Sequence, residues 1–305
     1  MKVTFLGTGG AGLPSKNRNV TSIILDLLQE TNNMWMFDCG ESTQHQILYT
    51  SIKPRKINKI FITHLHGDHI YGLPGFLSSR SFQGGVDPVT IFGPAGIKSF
   101  INTSLSVNKS KPSYPIDIIE IKEGIIYEDD QFIVKAKRLE HVIESFGFRI
   151  DEKESKGSLL VDKLKADGIY PGPIYQLFKS QDTVKLTDGT VVPSSNYIGD
   201  PKQGKSVAIL GDTRAKTDVI PFVANVDLLV HEATFAKGQE QLAYDYFHST
   251  TDQAATIAAR AQVKKIILTH ISSRFQKDDT VQLETEAKQQ FENATIAEDF
   301  YTYPL

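Results

Sequence analysis

The chain has 305 residues, 40% hydrophobic and 23% charged, with a formal net charge of −3. This balance describes a globular chain of one large domain or two small ones and excludes both a low-complexity polymer and a general nucleic-acid coat. A single cysteine, Cys39, excludes a disulfide scaffold and a cysteine-based zinc knot; with no long apolar run at the start, a cytoplasmic protein without membrane association is expected.

Residues 1–7 read as a short strand running into Gly7-Thr8-Gly9-Gly10-Ala11-Gly12, which fits GxGxxG. A dinucleotide site fails on what comes next, because that fingerprint needs a helix whose N-terminus meets the pyrophosphate. The polar loop Leu13-Pro14-Ser15-Lys16-Asn17-Arg18-Asn19 follows instead. Two apolar runs, 20–28 and 34–37, then flank a polar turn and predict an antiparallel hairpin. Asp38 is placed to orient a metal-bound histidine, and His45, in the next helical stretch, reads as a packing residue.

The most informative segment follows the apolar run Ile60-Phe61-Ile62: His64-Leu65-His66-Gly67-Asp68-His69. Imidazole nitrogen and carboxylate oxygen are ligand types that zinc accepts, and histidines at alternate positions leave an extended backbone on one side. Beyond the Gly67 bend, Asp68 and His69 must point elsewhere, so the spacing suggests two neighbouring ions. Three later apolar runs also end in ligand-type residues: 131–134 leads to His141, 206–211 to Asp212, and 265–269 to His270. Each alone reads more readily as a hydrogen-bonded histidine or a turn aspartate than as a ligand. Strand ends on one edge of a sheet converge, however, and that shared context joins them to the first cluster.

Residues 151–195 separate two of these runs and read as an inserted arm on a single domain spanning 1–305. Within it, 158–166 predicts a short helix, Tyr170-Pro171-Gly172-Pro173 a rigid turn, and 184–191 a hairpin on Asp188-Gly189. Acids and bases nearly balance there. Lys153, Lys156, Lys163, Lys165, Lys179 and Lys185 would have to share one face to follow phosphates.

The His-x-His-x-Asp-His run, with His141, Asp212 and His270, resembles the metallo-β-lactamase superfamily over nearly the whole chain. The resemblance implies an α/β fold, a four-layer αββα sandwich with metals at the strand ends. This fold hosts hydrolysis of lactams, thioesters and phosphodiesters, so it does not choose a substrate. Three further stretches are similar to the tRNase Z family: Pro14-Ser15-Lys16-Asn17-Arg18-Asn19 to its PxKxRN loop, His231-Glu232-Ala233-Thr234 to its HEAT motif, and His248-Ser249-Thr250 to its HST motif. A solvated loop, a helix cap and a capping box ahead of a helix over 251–261 are the plainer alternatives.

That similarity implies a metal-dependent endoribonuclease removing the 3′ trailer of precursor tRNA near the discriminator base, leaving a 3′-hydroxyl tRNA and a 5′-phosphate trailer. With a phosphodiester placed on two Zn2+ ions, or Mn2+ in their stead, His64, His66 and His141 would hold one, Asp68, His69 and His270 the other, and Asp212 would bridge. Asp68 doubles as candidate general base. By resemblance His248 donates a proton to the leaving 3′ oxygen, kept protonated by Glu232. Lys16, Arg18 and Arg274 are candidates for phosphates around the cut, and Phe82 and Phe275 for stacking a base. The family further implies that the arm, through its Gly172-Pro173 turn, grips the tRNA elbow, and that a homodimer presents tRNA from one subunit's arm to the partner's active site. Two readings stay open beside this one. A phosphodiesterase acting on a different or small substrate would keep its activity without the arm, and an RNA-binding scaffold with structural metals would bind tRNA without turning it over.

Overall fold

The computed structural model describes residues 1–10 and 15–305. Pro14 of the PxKxRN-like loop and Ala11 and Gly12 of the glycine run lie outside the described residues. Two compact units are present, and the larger comprises Met1–Tyr127, Val134–Ile150 and Ser206–Leu305.

In the first of its two seven-stranded sheets, Lys2–Gly7, Ser22–Leu27 and Asn33–Phe37 run antiparallel, and Ile57–Phe61, Val89–Gly93 and Ile116–Glu120 follow in parallel. The predicted hairpin is the pairing of Ile23 with Phe37 through Leu27 with Asn33. In the second sheet Ser206–Leu210, Leu228–Glu232, Ile266–Thr269 and Ala294–Ile296 lie parallel in that order. It continues on its other side through Ser145–Glu152, Phe132–Leu139 and Gly124–Glu128.

The side-chain alternation of these strands decides the layers. Phe37, Phe61 and Phe92 stack across three neighbouring strands with centroids 5.0 and 4.9 Å apart, and Phe148 of the second sheet meets Phe37 and Phe61 at 6.0 and 5.4 Å. These rings fill the space between the sheets. On the far face of the first sheet, Ile24, Met36 and Ile60 pack with Phe76 and Ile101 of helices Leu73–Phe82 and Ile97–Val107. On the far face of the second, Leu229 and Leu268 pack with Ala258 and Leu283 of helices Thr251–Ala261 and Thr280–Lys288. Strands apolar on both faces require such double cover, which yields the four-layer αββα sandwich.

At one edge of this sandwich the strands give way to the chemistry-bearing residues. Ile57–Phe61 ends just before His64, Phe132–Leu139 before His141, Ser206–Leu210 before Asp212, and Ile266–Thr269 runs directly into His270. His231 and Glu232 close the strand Leu228–Glu232, so the HEAT-like stretch is a strand end and its helix-cap alternative is wrong. Thr250 does cap the helix Thr251–Ala261, in a capping box with Gln253.

Glu128–Ile133 and Asp151–Lys205 form the second unit, with its own core of Leu164, Ile169, Phe178, Val184 and Tyr197. Its first helix is Val161–Ala166, shorter than the 158–166 expected, because Leu159 pairs with Ile198 in an isolated bridge. Pro173, with φ −54° already in the helical range, leads into a helix the sequence reading missed, Ile174–Ser180. The hairpin pairs Thr183–Lys185 with Val191–Pro193, and Gly189 takes φ 92° in its loop. Lys156, Lys163, Lys165, Lys179 and Lys185 are exposed, while Lys153 pairs with Glu128 at 2.7 Å. Among the described residues no helix is long and apolar enough to cross a membrane.

Candidate active site

The strand ends bring the seven expected ligand residues together. Ligand atoms of His64, His66, His141 and Asp212 all lie within 4.8 Å of one another, as do those of Asp68, His69 and His270. His66 Nδ1 is 3.0 Å from His64 Nε2 and 3.2 Å from His141 Nε2. Asp212 stands between the groups: one carboxylate oxygen is 3.6 Å from His64 Nε2 and 3.2 Å from His270 Nε2, and the other is 3.6 Å from His69 Nε2. Asp68 Oδ2 lies 3.5 Å from His270 and 3.7 Å from His69.

What makes this a site for cations is where the far ring nitrogens go. His64 Nδ1 donates to Thr63 Oγ1 at 3.0 Å, and that hydroxyl donates to Asp38 Oδ2 at 2.8 Å. His69 Nδ1 donates to the same carboxylate oxygen at 2.7 Å. Across the site His270 Nδ1 donates to Thr234 Oγ1 at 2.9 Å, and Thr234 to Glu232 Oε2 at 2.8 Å. His141 Nδ1 donates to the Phe247 carbonyl at 3.0 Å. With the outer nitrogens of His64, His141 and His270 committed as donors, the inner nitrogens of these rings present lone pairs to a shared space, and this nitrogen and oxygen set fits a divalent metal.

Charge follows the same geometry. Burial, and then the charge of His69, push the pKa of His64 well below its ordinary value; burial is also the main cause that lowers His66 and His141. Those rings are therefore neutral and ready to ligate at neutral pH. Burial would raise the Asp212 and Asp68 carboxyls, but the neighbouring histidines, His270 foremost, outweigh it and hold both below the usual range. For His69, burial is overcome by Asp212 and Asp38, which raise it well above its ordinary value. A field that holds a proton there also favours a metal cation.

A second pair sits beside the first. His248 Nδ1 donates to Glu232 Oε1 at 2.9 Å, and Glu232 also accepts from the backbone N–H groups of Thr213, Thr234 and Ser249. Burial opposes a charged His248, yet Glu232 outweighs it and pushes the pKa up to about 9. Glu232 itself, raised by burial but lowered further by His248, stays ionised.

Three of the nine described non-glycine residues with left-handed backbone belong to the site. Asp38, Phe247 and His270 take the left-handed φ values of 56°, 61° and 58°, rare for residues with side chains and held only where surroundings over-determine them. At Gly10 a Cβ would lie 2.3 Å from His270 Nδ1, so the backbone there makes room for the ring.

Around the seven residues opens a cavity of about 650 Å3, lined by His66, Asp68, His141, Asp212 and His248 on one part and by Tyr71, Phe235, Tyr246 and Arg274 on another. Arg274 is exposed, its guanidinium 5.8 Å above the Phe235 ring. Lys16 is exposed, as are Gly172 and Pro173 in the second unit. Arg18 departs from expectation. Only 6% exposed, its guanidinium donates to Thr8 Oγ1, the Ala297 carbonyl and Thr280 Oγ1, so it braces the early loop and lies outside the wall of this cavity. Phe275 packs against the outer core of the second sheet, Phe82 is exposed at the end of its helix and outside the cavity wall, and His45 lies edge-on to Tyr49 at 5.3 Å. Sequence reasoning missed Thr63, whose signal was a hydroxyl directly before a ligand-type histidine. It also missed the Phe247 carbonyl, which no side chain announces.

Comparison with known proteins agrees with this geometry. The family model described as anti-Pycsar protein Apyc1 matches residues 1–159, and that of the beta-lactamase superfamily domain matches residues 182–271. Ribonuclease Z of Bacillus subtilis (strain 168) is 56% identical over 98% of this chain and 97% of its own length, and a ribonuclease Z of Bacillus cereus is 55% identical over 100% and 99%. Among solved structures, the short form of human tRNase Z superposes with a TM-score of 0.73 at 30% identity, covering 100% of this chain and 99% of its own. The metallo-beta-lactamase fold protein YhfI from Bacillus subtilis, at 20% identity and a TM-score of 0.68 over 99% and 98% of the two chains, shares the fold. With identity above one half along essentially its full length, the chain belongs to the ribonuclease Z family.

Proposed function

We propose that this protein is the endonuclease that removes the 3′ trailer from precursor tRNA, cutting near the discriminator base to leave a 3′-hydroxyl tRNA and a 5′-phosphate trailer. The observation that carries this reading is Asp212, shared between two donor groups, with the His248–Glu232 pair beside it: His248 Nδ1 is 4.0 Å from Asp212 Oδ2. In this reading His64, His66 and His141 would hold one divalent ion, Asp68, His69 and His270 would hold a second, and Asp212 would serve both, with zinc the expected metal and manganese a substitute. When bound, the ions supply a strongly activated water at neutral pH and neutralise charge on the attacked phosphoryl group. Asp68, in the cavity wall, would offer its carboxylate as the proton acceptor for the attacking water. His248 uses Nδ1 on Glu232 and so has Nε2 left to protonate the leaving 3′ oxygen. Arg274, exposed at the same cavity, and Lys16 hold phosphates near the cut.

Residues 151–195 act as the tRNA-binding arm, with Gly172 and Pro173 at its contact turn, in a homodimer working in the cytoplasm. The test is a purified protein, a trailer-bearing precursor, and zinc or manganese in the assay. One cut near the discriminator base, with product ends mapped as above and lost in Asp212→Ala, is the expected result. No cleavage with either metal overturns the reading, and full activity on precursor tRNA after deletion of the arm would shift it to a phosphodiesterase of smaller substrates.

A further inference from the structure

Arg214, two residues beyond Asp212, has no part in the chemistry above, yet it is among the most constrained cations of the larger unit. Its guanidinium carbon lies 3.7 Å from the centroid of the Tyr244 ring and 3.6 Å from that of Phe247. Its Nε donates to the Tyr244 carbonyl at 2.7 Å, and Nη1 donates to Glu140 Oε1 at 2.8 Å. The Arg214 backbone N–H donates to the Glu140 carbonyl at 2.9 Å. Three loops meet on this one side chain. Glu140 precedes His141, Arg214 follows Asp212, and Phe247 precedes His248. Phe247 is also the residue whose carbonyl accepts from His141 Nδ1, and it does so from a left-handed backbone with φ 61°. A bulky aromatic residue holds that conformation only where its surroundings enforce it. The ring of Phe247, pressed onto the guanidinium, provides the enforcement.

We infer that Arg214 is a positioning residue for the candidate metal centre: by clamping Glu140, Tyr244 and Phe247 together it fixes the carbonyl that orients His141 and sets the approach of His248. The inference rests on the metal-centre reading proposed above, but its test reads the metal directly. A planar guanidinium is required, because it stacks on two rings and donates in its own plane at once; a lysine ammonium can pair with Glu140 and do neither. Lys216 provides the internal control. It pairs with the other oxygen of Glu140 at 2.9 Å from an exposed position, where an ion pair contributes little.

The experiment is a cobalt titration of metal-stripped protein, followed by visible d–d absorption, on Arg214→Ala, Arg214→Lys and Lys216→Ala, with kcat and KM for precursor cleavage measured on the zinc-loaded forms. For Arg214→Ala the affinity of one cobalt equivalent should fall about 10–100-fold, in the range found when an outer partner of a metal-binding histidine is lost, while the other is unchanged. Its kcat should fall with KM within about twofold, as expected when groups are misplaced but the substrate is still held. Arg214→Lys, which keeps the charge, should lie between Arg214→Ala and the parent protein, and Lys216→Ala should match the parent. Should Arg214→Ala fold poorly, the lysine variant alone carries the test, through the same selective loss of one equivalent. Native affinity for both equivalents together with native kcat in the arginine variants overturns the inference. So does an equal loss in Lys216→Ala, which would reduce the clamp to simple charge at Glu140. If the parent protein cleaves no precursor tRNA while the selective cobalt defect persists, the clamp stands and the RNA reading falls.

Discussion

Asp38 and Glu232 are buried carboxylates held in the same way on two sides of one site. Each accepts from a threonine hydroxyl and from a histidine Nδ1, and each of those threonines accepts from a second histidine. Around Asp38 both rings, His64 and His69, turn their remaining nitrogen to the ligand groups. Around Glu232, His270 turns its Nε2 to Asp68 and Asp212, while His248, also buried and with its Nδ1 4.0 Å from Asp212 Oδ2, lines the cavity with that Nδ1 tied to the Glu232 carboxylate. The device fixes ring orientation in both places. In the proposed reading the second nitrogen separates a ligand position from an acid position, and Glu232 accepts from three backbone N–H groups where Asp38 accepts from that of Thr63.

The contrast breaks most visibly at its two ends. His69→Ala should cost both metal and cleavage, whereas His248→Ala should keep its metal and slow single-turnover cleavage about 10²–10⁴-fold, the usual contribution of a positioned proton donor. Metal analysis beside the kinetics separates the two, and equal metal loss in both variants would erase the distinction. A smaller effect is expected in metal affinity alone. Thr63→Val and Thr234→Val, each cutting one hydroxyl relay, should weaken metal binding about 10–100-fold. A titration in which only one of them matters would show that the two relays are not equivalent.

The pH profile sharpens the comparison further. Against burial, Glu232 raises His248 from an ordinary 6.5 to about 9, so the folded protein favours the protonated ring. The stabilisation this brings is fully present below pH 6.5 and is lost as pH rises through 9, and kcat should fall over the same rise. Glu232→Gln removes the charge and should move that alkaline limb to lower pH; a limb that stays in place belongs to another group. The smallest expected signal is at Cys39, next to Asp38. Burial, only partly offset by a hydrogen bond with Thr43, pushes its thiol up to about 12. Aromatic disulfide reagents should label it only on unfolding, and prompt labelling of the native protein would mean that the helix-covered face of the first sheet opens readily.

Much of this was legible before any fold was known, and the reasons differ by residue. His64, His66, Asp68 and His69 stood out because strong ligands at that density are costly to place unless something binds them. His141, Asp212 and His270 were legible through context, each at the end of an apolar run. Arg18 was misread because a motif names a residue without saying which way it faces: its guanidinium is spent on Thr8, Ala297 and Thr280. The helix Ile174–Ser180 was missed for a related reason, since seven residues hold too little periodicity to signal one.

Local chemistry therefore determined, from the amino-acid order alone, the identities of the ligand-type residues and the strand ends from which they emerge, while the sandwich class came only with the family resemblance that their motifs carry. Only the folded chain decided which nitrogens point inward, that Asp212 lies between both groups, and that Thr63, Thr234 and the Phe247 carbonyl hold the rings. These depend on distances between remote segments, such as those of His69 and His270, 201 residues apart, and on left-handed backbone at Asp38, Phe247 and His270. Neither quantity has a local sequence signature, because both are set by how the two sheets pack and where their edges meet.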